Sequence, residues 1–316
     1  MMTTASDKWK ILFHEPNSIK TVVSSVVGIM SRAEFQLKKL KKEDHTDSYY
    51  LCVDITDMSR VCCVSARLAV DESFNIPDDL SFVLDLKELL TALKCMQPRY
   101  TVEIGGKIGG HKIEIRGFDV NDRARDTTII LGTRIAEETN FKPPIFEYKM
   151  QVEIDLNMLK GNMNNGKAIN AELLKFQVKK KTDEQGETKC VTIFTCEGNS
   201  TIKDTMRCIT ETDPTDGSIR VKENIDIANY DSIEEEDLDT IYEGTFSSTN
   251  LHNFVNALPG PPKSKLIANI KKSMPLCLTY LIGDEVNASY IKLLLAPRNV
   301  DDEEPDDGME DVEDDY

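Results

Sequence analysis

The stretch ASYIKLLLAPRNVDDEEPDDGMEDVEDDY, residues 288–316, joins a dense apolar run to a highly charged tail. The run 290–295 is typical of a buried strand, and it stops at the sequence APR. Residues 301–316 then hold eleven Asp and Glu and no Lys or Arg. Such a like-charge block cannot bury enough apolar surface to offset the entropy of ordering it. The sequence therefore predicts a final buried strand followed by a disordered acidic tail at 301–316.

The composition describes a globular chain whose charge is concentrated at one end. Its 316 residues suffice for two domains of ordinary size, and a hydrophobic share of 40% supports a substantial core. The formal net charge is −17, and the segment before residue 301 carries only −6 of it. A mildly acidic body argues, at first sight, against nucleic-acid binding.

The cysteines and apolar segments bear on the cellular compartment. Eight cysteines and four histidines are present without any C-x-x-C pair, so we expect no structural zinc site and no other metal or cofactor. Most cysteines lie inside apolar strand-like runs, which indicates small core residues in a reducing compartment. The N-terminus MMTTASDKWKILF lacks an uninterrupted apolar segment, and no stretch approaches about 18 apolar residues. We therefore expect neither secretion nor a membrane span.

Short alternating runs separated by turn residues dominate the chain, and this pattern favours antiparallel sheet. The segment GGKIGG, 105–110, lies between two such runs and predicts a hairpin turn. A phosphate-binding loop would need a helix after it, and HKIEI is not one. The principal runs are KWKILF, FQLKKL, YYLCVDI, RVCCVSARLAV, SFVLDL, YTVEI, HKIEIRGF, TTIILGT, FEYKMQVEI, LLKFQVKKK, CVTIFTCEG, STIKDTMRCIT, IYEGTF, SKLIANIKK, MPLCLTYLI and YIKLLLAP.

Four segments instead place apolar residues at helical spacing. The first is SIKTVVSSVVGIMSRAE, in which Ser18 is the expected N-cap. The second is DLKELLTALKCM, which Asp85 is expected to cap. DLNMLKGNMNNG, 155–166, and SSTNLHNFVNAL, 247–258, give the third and fourth helices.

The order of these elements repeats along the chain. Each half reads strand, helix, many strands, helix, strands, with a linker-like segment between the halves. Because helices do not alternate with single strands, the class is α+β rather than α/β. We predict a first domain at 1–133, a connector at 134–147, a second domain at 148–300 and the tail at 301–316.

The polar faces of the four predicted helices are poor in acids. Apart from Glu88, the cap Asp85 and His252, they carry cations, hydroxyls and amides. A single exposed lysine is usually just a solvated surface residue, but four such faces together indicate a surface that meets phosphates. The residues are Lys20, Thr21, Ser24, Ser25, Arg32, Lys87, Thr91, Lys94, Lys160, Asn162, Asn164, Asn165, Lys167, Asn250, Asn253, Asn256, Lys263 and Lys265.

The C-terminal block MPLCLTYLIGDEVNASYIKLLLAPR, 274–298, resembles the PCNA family, the eukaryotic and viral sliding DNA clamps. That family has a V-P-L strand, a turn and a strand closing in L-A-P-K before acidic residues. NLHNFVNALPG, TALKCM and FEYKMQVEI are similar to the helix before that block, the family's second helix and the strand after its connector. The resemblance spans nearly the whole chain in architecture but is specific in letters mainly over 245–304, as in a divergent member.

This resemblance implies a fold of duplicated clamp domains, with antiparallel sheets outside and two short helices per domain lining the inner face. It implies a homotrimeric ring that encircles double-stranded DNA and acts as a processivity factor in the nucleus, or in a viral replication compartment. DNA polymerase, clamp loader, nuclease and ligase would dock through short motifs with a glutamine, an aliphatic residue and two aromatics. No enzymatic activity and no catalytic residue is expected.

The resemblance also implies site residues. Where the family usually shows a base, this chain has Thr21, Val27, Thr91, Asn164 and Asn256. The expected DNA-binding residues are Lys20 and Lys94. Either the other DNA contacts are fewer and softer, or they are compensated by Lys160, Lys167, Lys263 and Lys265. The expected partner-peptide pocket consists of Thr56, Arg60, Phe141, Pro143, Pro144, Pro275, Leu294, Leu295, Ala296 and Pro297.

Subunits are expected to join by strand pairing between TTIILGT of one copy and VTIFTCEG of the next, two candidate edges that a closed ring would cover.

The sequence also leaves other functions open. One is a clamp-like polymerase accessory factor that does not encircle DNA, and another is one subunit of a hetero-trimeric checkpoint clamp. An enzyme built on the acids of SIEEEDLDT, and an acidic-tailed chaperone-like binder of basic proteins, are further alternatives.

Overall fold

A computed structural model describes residues 7–41, 47–78, 80–122, 126–134, 142–148, 150–182, 188–198, 200–212, 219–224, 239–259, 266–282 and 289–298. The predictions made for Phe141, Lys263, Lys265 and the tail 301–316 lie outside these residues.

The described residues form eighteen strands and four helices in two successive halves. In the first half they are β1 Lys8–Phe13, α1 Pro16–Val27, β2 Arg32–Lys41, β3 Asp47–Thr56, β4 Cys62–Ala69, β5 Glu72–Phe74, β6 Ser81–Asp85, α2 Leu86–Lys94, β7 Thr101–Lys107, β8 Lys112–Phe118 and β9 Asp126–Gly132. In the second half they are β10 Met150–Ile154, α3 Leu156–Ala168, β11 Leu173–Thr182, β12 Thr188–Glu197, β13 Thr201–Thr212, β14 Ile219–Asn224, β15 Asp239–Ser247, α4 Ser248–Ala257, β16 Leu266–Ile270, β17 Leu276–Ile282 and β18 Ser289–Leu295.

Three antiparallel sheets contain these strands. Their orders are β5-β1-β7-β8-β9, β10-β16-β17-β18-β4-β3-β2-β6 and β14-β13-β12-β11-β15. The order β1-β7-β8-β9 in the first half recurs as β10-β16-β17-β18 in the second, and β6-β2-β3-β4 recurs as β15-β11-β12-β13. The predicted α+β class and the predicted duplication of architecture are therefore confirmed.

The central sheet crosses from one half to the other. Its seam is the antiparallel pairing of β18 with β4, which runs from Tyr290 opposite Arg67 to Leu295 opposite Cys62. The final apolar strand therefore completes the sheet of both halves at once.

The predicted hairpin at GGKIGG is also present. Strands β7 and β8 pair around it, and Gly109 in the turn has a φ of +71°, which suits glycine. Gly105 lies within β7, where a Cβ atom would approach the Trp9 carbonyl oxygen to 2.7 Å. The first glycines of the segment thus serve close strand packing, and the later ones serve the turn.

The N-terminal residues of α1 and α2 show which local signals determine where a helix begins. Asp85 caps α2 as predicted, and its side chain accepts from the N–H groups of Lys87 and Glu88. The prediction of Ser18 as the cap of α1 was wrong, because α1 begins at Pro16. Proline is well suited to the first helical position, since its φ is already helical and its missing N–H would have had no helical partner.

The four helices lie side by side in the order α2, α1, α4, α3, so they form one layer across both halves. Each buries an apolar stripe at helical spacing against the strands, as in Ile19, Val22, Val23 and Val26 of α1. One continuous core contains buried residues of both halves, while Val191 and Ile193 form a small separate cluster. Burying one such aliphatic side chain contributes about 1.5–3 kcal/mol, which fixes each helix face against the sheets.

Candidate functional site

The side of the helix layer that faces away from the strands carries a small positive excess. The four helices together contain five lysines, Lys20, Lys87, Lys94, Lys160 and Lys167. Glu88, in the first turn of α2, is the one acidic residue within them. The layer is therefore compatible with a polyanion in spite of the acidity of the whole chain.

The predicted DNA-binding lysines fall into two groups. Lys94 and Lys167 are exposed near the C-terminal ends of α2 and α3. Lys20 instead donates from Nζ to the Met96 carbonyl oxygen at 2.8 Å, and Lys160 donates from Nζ to the Leu258 carbonyl oxygen. Partial burial lowers the pKa of Lys20 and of Lys160.

Amide side chains cover much of the surface of α3 and α4. Asn164, Asn165, Asn253 and Asn256 are exposed, and the Asn256 Nδ2 donates to the Asn164 Oδ1 at 3.2 Å. Exposed amides can both donate to phosphate oxygens and accept from sugars or water. This part of the layer offers hydrogen bonds with little charge.

A cavity of about 460 Å³ lies between residues 143–148, which are the end of the connector and the residue after it, and one face of the central sheet. Its lining comes from β3, β4, β10, β16, β17 and β18 together with the connector, so residues from both halves build it. The lining residues are Asp54, Ser65, Pro143, Pro144, Ile145, Phe146, Tyr148, Gln151, Asn269, Cys277, Tyr290, Lys292 and Leu294.

The structure brings part of the predicted peptide pocket to this cavity. Pro143, Pro144 and Leu294 line it. Thr56 lies in the same cross-strand row as Leu294, because it is opposite Cys63, which is opposite Leu294. The Thr56 hydroxyl donates to the Cys62 carbonyl oxygen at 3.2 Å.

Other predicted pocket residues lie around the strand ends. Arg60 is exposed in the β3–β4 turn with a φ of +59°. The N–H of Ala296 donates to the Val61 carbonyl oxygen at 2.8 Å, and Pro297 after it is half-buried. Leu295 was wrongly assigned to the pocket: its side chain is fully buried in the core, because successive side chains of β18 point to opposite faces of the sheet.

Tyr148 ties the connector to the sheet, and the sequence reasoning did not single it out. Its hydroxyl donates to the Pro275 carbonyl oxygen at 2.9 Å, and its ring meets that of Phe146 edge-on. Burial raises the pKa of Tyr148, so the hydroxyl stays protonated as a donor. The pattern of FEYKMQVEI predicts one continuous strand, although β10 begins only at Met150. The aromatic residues Phe146 and Tyr148 just before β10 were the sequence signal that could have indicated this contact.

One side of the cavity is polar, which the sequence reasoning also missed. Asp54 and Lys292 line it, and the Lys292 Nζ lies 4.7 Å from the Tyr290 ring centroid. The guanidinium of Arg67 lies over Tyr290 and Tyr50, 4.9 and 5.0 Å from their centroids. The cavity therefore joins an apolar end at Leu294 to a charged end, a combination typical of ligand sites.

Among the described residues, β9 is one of six strands that end a sheet, the others being β5, β6, β10, β14 and β15, and part of β13 is also left uncovered. β9 pairs with β8 on one side only, as expected for TTIILGT, and Ile130 on it is 61% exposed. The other predicted edge was wrong, because β12, which contains VTIFTCEG, pairs with β11 and with β13. The second edge is β13, whose pairing with β14 covers only residues 208–212. Period-two patterning identifies a strand but not its place in the sheet.

The described residues carry few groups suited to chemistry. Within them, no three or more His, Cys, Asp or Glu side chains come together as a metal site. Burial raises the pKa of Cys62 and of Cys63 to about 12, so these thiols are poor nucleophiles. None of the helices in the described part of the chain has the length and apolar character that a membrane crossing requires.

The chain was compared with known proteins and solved structures, and only the solved structures gave matches. No family model and no curated protein matches the sequence. Among solved structures, the chain is similar to PCNA from Thermococcus kodakaraensis, with a TM-score of 0.66 and 18% identity over 92% of this chain and 100% of that one. It is also similar to the Proliferating Cellular Nuclear Antigen from Entamoeba histolytica, with a TM-score of 0.67 and 14% identity over 92% of this chain and 99% of that one.

Because the sequence identities are below 20%, these similarities establish the fold alone. The chain has a PCNA-like clamp fold, made of antiparallel sheets and a layer of short helices in two similar halves.

Proposed function

We propose that this chain is a subunit of a ring-shaped sliding clamp that encircles duplex DNA. As a processivity factor and non-enzymatic docking platform, it would tether DNA polymerase and other replication and repair enzymes. Such a clamp would act in the nucleus, or in a viral replication compartment. The domain boundaries proposed for it are 1–133, 134–147, 148–300 and 301–316.

The observation that carries this proposal is the relation between the internal seam, the free edge of β9 and the part of β13 that β14 leaves uncovered. By the repeated strand order, β9 occupies the place in the first half that β18 occupies in the second, and β13 likewise matches β4. β18 and β4 pair with each other inside the chain. Pairing β9 of one copy with β13 of the next would repeat the same junction between copies.

A junction of this kind is head-to-tail rather than two-fold, and such contacts generate a closed ring when the rotation closes. The PCNA-like fold supports closure with three copies. Closure would also cover two edges that would otherwise promote aggregation.

The helix layer supports duplex DNA as the enclosed ligand. Duplex DNA carries about one negative charge per 1.7 Å of axis, so a few exposed lysines per subunit suffice to favour its position in the ring. Retention would depend on enclosure rather than affinity, and weak contacts would permit sliding. The proposed contacts are Lys94, Lys167 and, beyond the described residues, Lys263 and Lys265.

The cavity under the connector supports docking of partner peptides. Its apolar end suits an aromatic or aliphatic anchor, and its position on the sheet leaves the helix layer free for DNA. Polymerase, clamp loader, nuclease and ligase are the proposed partners, through glutamine-aromatic motifs. Thr56, Arg60, Pro275, Ala296 and Pro297 surround this site in the proposal.

The assembly state tests the ring directly. The unmodified chain is expected at three times its 35.6 kDa mass in light scattering. Ile130→Asp should dissociate it, because the substitution places a charge on the β9 edge. Ile108→Asp is the matched control, since Ile108 is also exposed, at 52%, but lies in the β7–β8 turn. A monomer at micromolar concentration would refute the homotrimer.

Retention on DNA tests encirclement. Once a clamp loader has acted, the trimer should stay on circular plasmid and be lost from the same plasmid after linearisation. Equal loss from both would show that binding is not topological, which would favour a non-encircling polymerase accessory factor. A trimer that forms only with two other chains would favour the hetero-trimeric checkpoint clamp.

A further inference from the structure

Two lysines occupy equivalent positions in the two halves. In α1 the buried positions are Ile19, Val22, Val23 and Val26, and in α3 the same spacing gives Leu159, Asn162, Met163 and Gly166. Lys20 follows the first of these positions in α1, and Lys160 follows it in α3.

Their hydrogen-bond acceptors are equivalent as well. Along α2 the buried residues are Leu89, Ala92, Leu93 and then Met96, and along α4 they are Leu251, Phe254, Val255 and then Leu258. Lys20 donates to the carbonyl of Met96, and Lys160 donates to the carbonyl of Leu258. Each lysine thus reaches the first buried residue after the end of the neighbouring helix in its own half.

The physical reason lies at the helix ends. Met96 and Leu258 lie just after the ends of α2 and α4, where carbonyl groups have no helical N–H to accept from and a cation also interacts favourably with the helix dipole. Met96 and Leu258 are each only 2% exposed, so water has limited access beside these carbonyls. A lysine ammonium supplies the missing donor in each half.

We propose that Lys20 and Lys160 form a duplicated brace that fixes α1 against α2 and α3 against α4, and that neither lysine contacts phosphate. Among the residues that the structure describes, the contacts with DNA fall instead to the exposed Lys94 and Lys167 and to the exposed amides of α3 and α4. This second part rests on the proposed function, whereas the brace does not.

Lysine labelling resolved by mass spectrometry separates the two parts. On the assembled protein without DNA, an amine-reactive reagent should modify Lys20 and Lys160 several-fold more slowly than Lys94 and Lys167. Equal rates would overturn the brace. Of these four lysines, only Lys94 and Lys167 should become protected when a short duplex is added. Protection of Lys20 and Lys160 would overturn the reassignment, and a lack of protection at every lysine would count against DNA binding itself.

Substitution to methionine gives an independent test, because methionine keeps most of the apolar stem and removes the ammonium. Lys20→Met and Lys160→Met should lower the melting temperature by about 2 °C or more, since each leaves a carbonyl without its donor. Neither should change the dependence of duplex affinity on salt concentration.

Lys94→Met and Lys167→Met are the matched controls and should behave in the opposite way. Each lysine–phosphate interaction that is lost, in any subunit of the ring, should lower the magnitude of the slope of log affinity against log salt by about 0.9, with little change in melting temperature. A lower slope for Lys20→Met or Lys160→Met, with unchanged melting temperature, would overturn the proposal.

Discussion

Tyr148→Phe removes the hydrogen bond that ties the connector to the central sheet. The bond spans 2.9 Å from the Tyr148 hydroxyl to the Pro275 carbonyl oxygen, and the phenylalanine ring fills the same space. A hydrogen bond of this kind contributes about 0.5–1.5 kcal/mol net, which corresponds to roughly a 2- to 13-fold change in an equilibrium constant. We expect the equilibrium constant for docking of the connector to fall by that factor.

The effect should appear in two measurements. A fluorescent peptide with a glutamine-aromatic motif should bind more weakly in an anisotropy titration, by up to about 13-fold, because the peptide must now also order the connector. Amide hydrogen exchange in residues 142–148 should accelerate by a similar factor. Tyr100→Phe serves as a control, since Tyr100 is a buried tyrosine of the first half that does not line the cavity.

Unchanged peptide affinity together with unchanged exchange would refute the reasoning, because the connector would then be held by other contacts. Faster exchange with unchanged affinity would mean that partner peptides do not use the connector. Equal weakening by Tyr100→Phe would point to general destabilisation.

Further predictions concern the stability of the helix layer and the reactivity of the thiols. Asp85→Ala should destabilise the chain by about 1 kcal/mol in urea unfolding, because the Asp85 carboxylate accepts from two N–H groups at the start of α2, at 3.0 and 3.1 Å; an unchanged midpoint would contradict this. In residue-resolved alkylation at pH 8, exposed Cys95 should react far faster than buried Cys62 and Cys63. Because the pKa of Cys62 and of Cys63 is about 12, only about one in ten thousand of these thiols is ionised at pH 8. Comparable rates would show that the hairpin of β3 and β4 opens readily.

Much of the fold could be predicted because local patterns report which face of an element is buried. The spacing of Ile19, Val22, Val23 and Val26 located α1, and the carboxylate of Asp85 located the start of α2. The start of α1 was predicted wrongly because Ser18 is a residue type that often caps helices. The helix instead begins at Pro16, whose φ is already helical.

The site was less predictable because its contacts join distant parts of the chain. The tie from Lys20 to Met96 depends on how α1 and α2 pack, and no spacing in either helix shows it. The bond from Tyr148 to Pro275 likewise spans 127 residues. The burial of Leu295, by contrast, was available from the alternation of side chains along a strand.

The seam between β4 and β18 has a consequence for how the polypeptide is made. The hairpin of β3 and β4 leaves the ribosome early, but its partner strand follows only some 220 positions later, as the bond between Ala69 and Ser289 shows. Until then the nascent first half holds a half-finished sheet, and pairings of such long sequence separation form slowly. We therefore expect β4 to be the segment of the growing chain most in need of shielding by a chaperone.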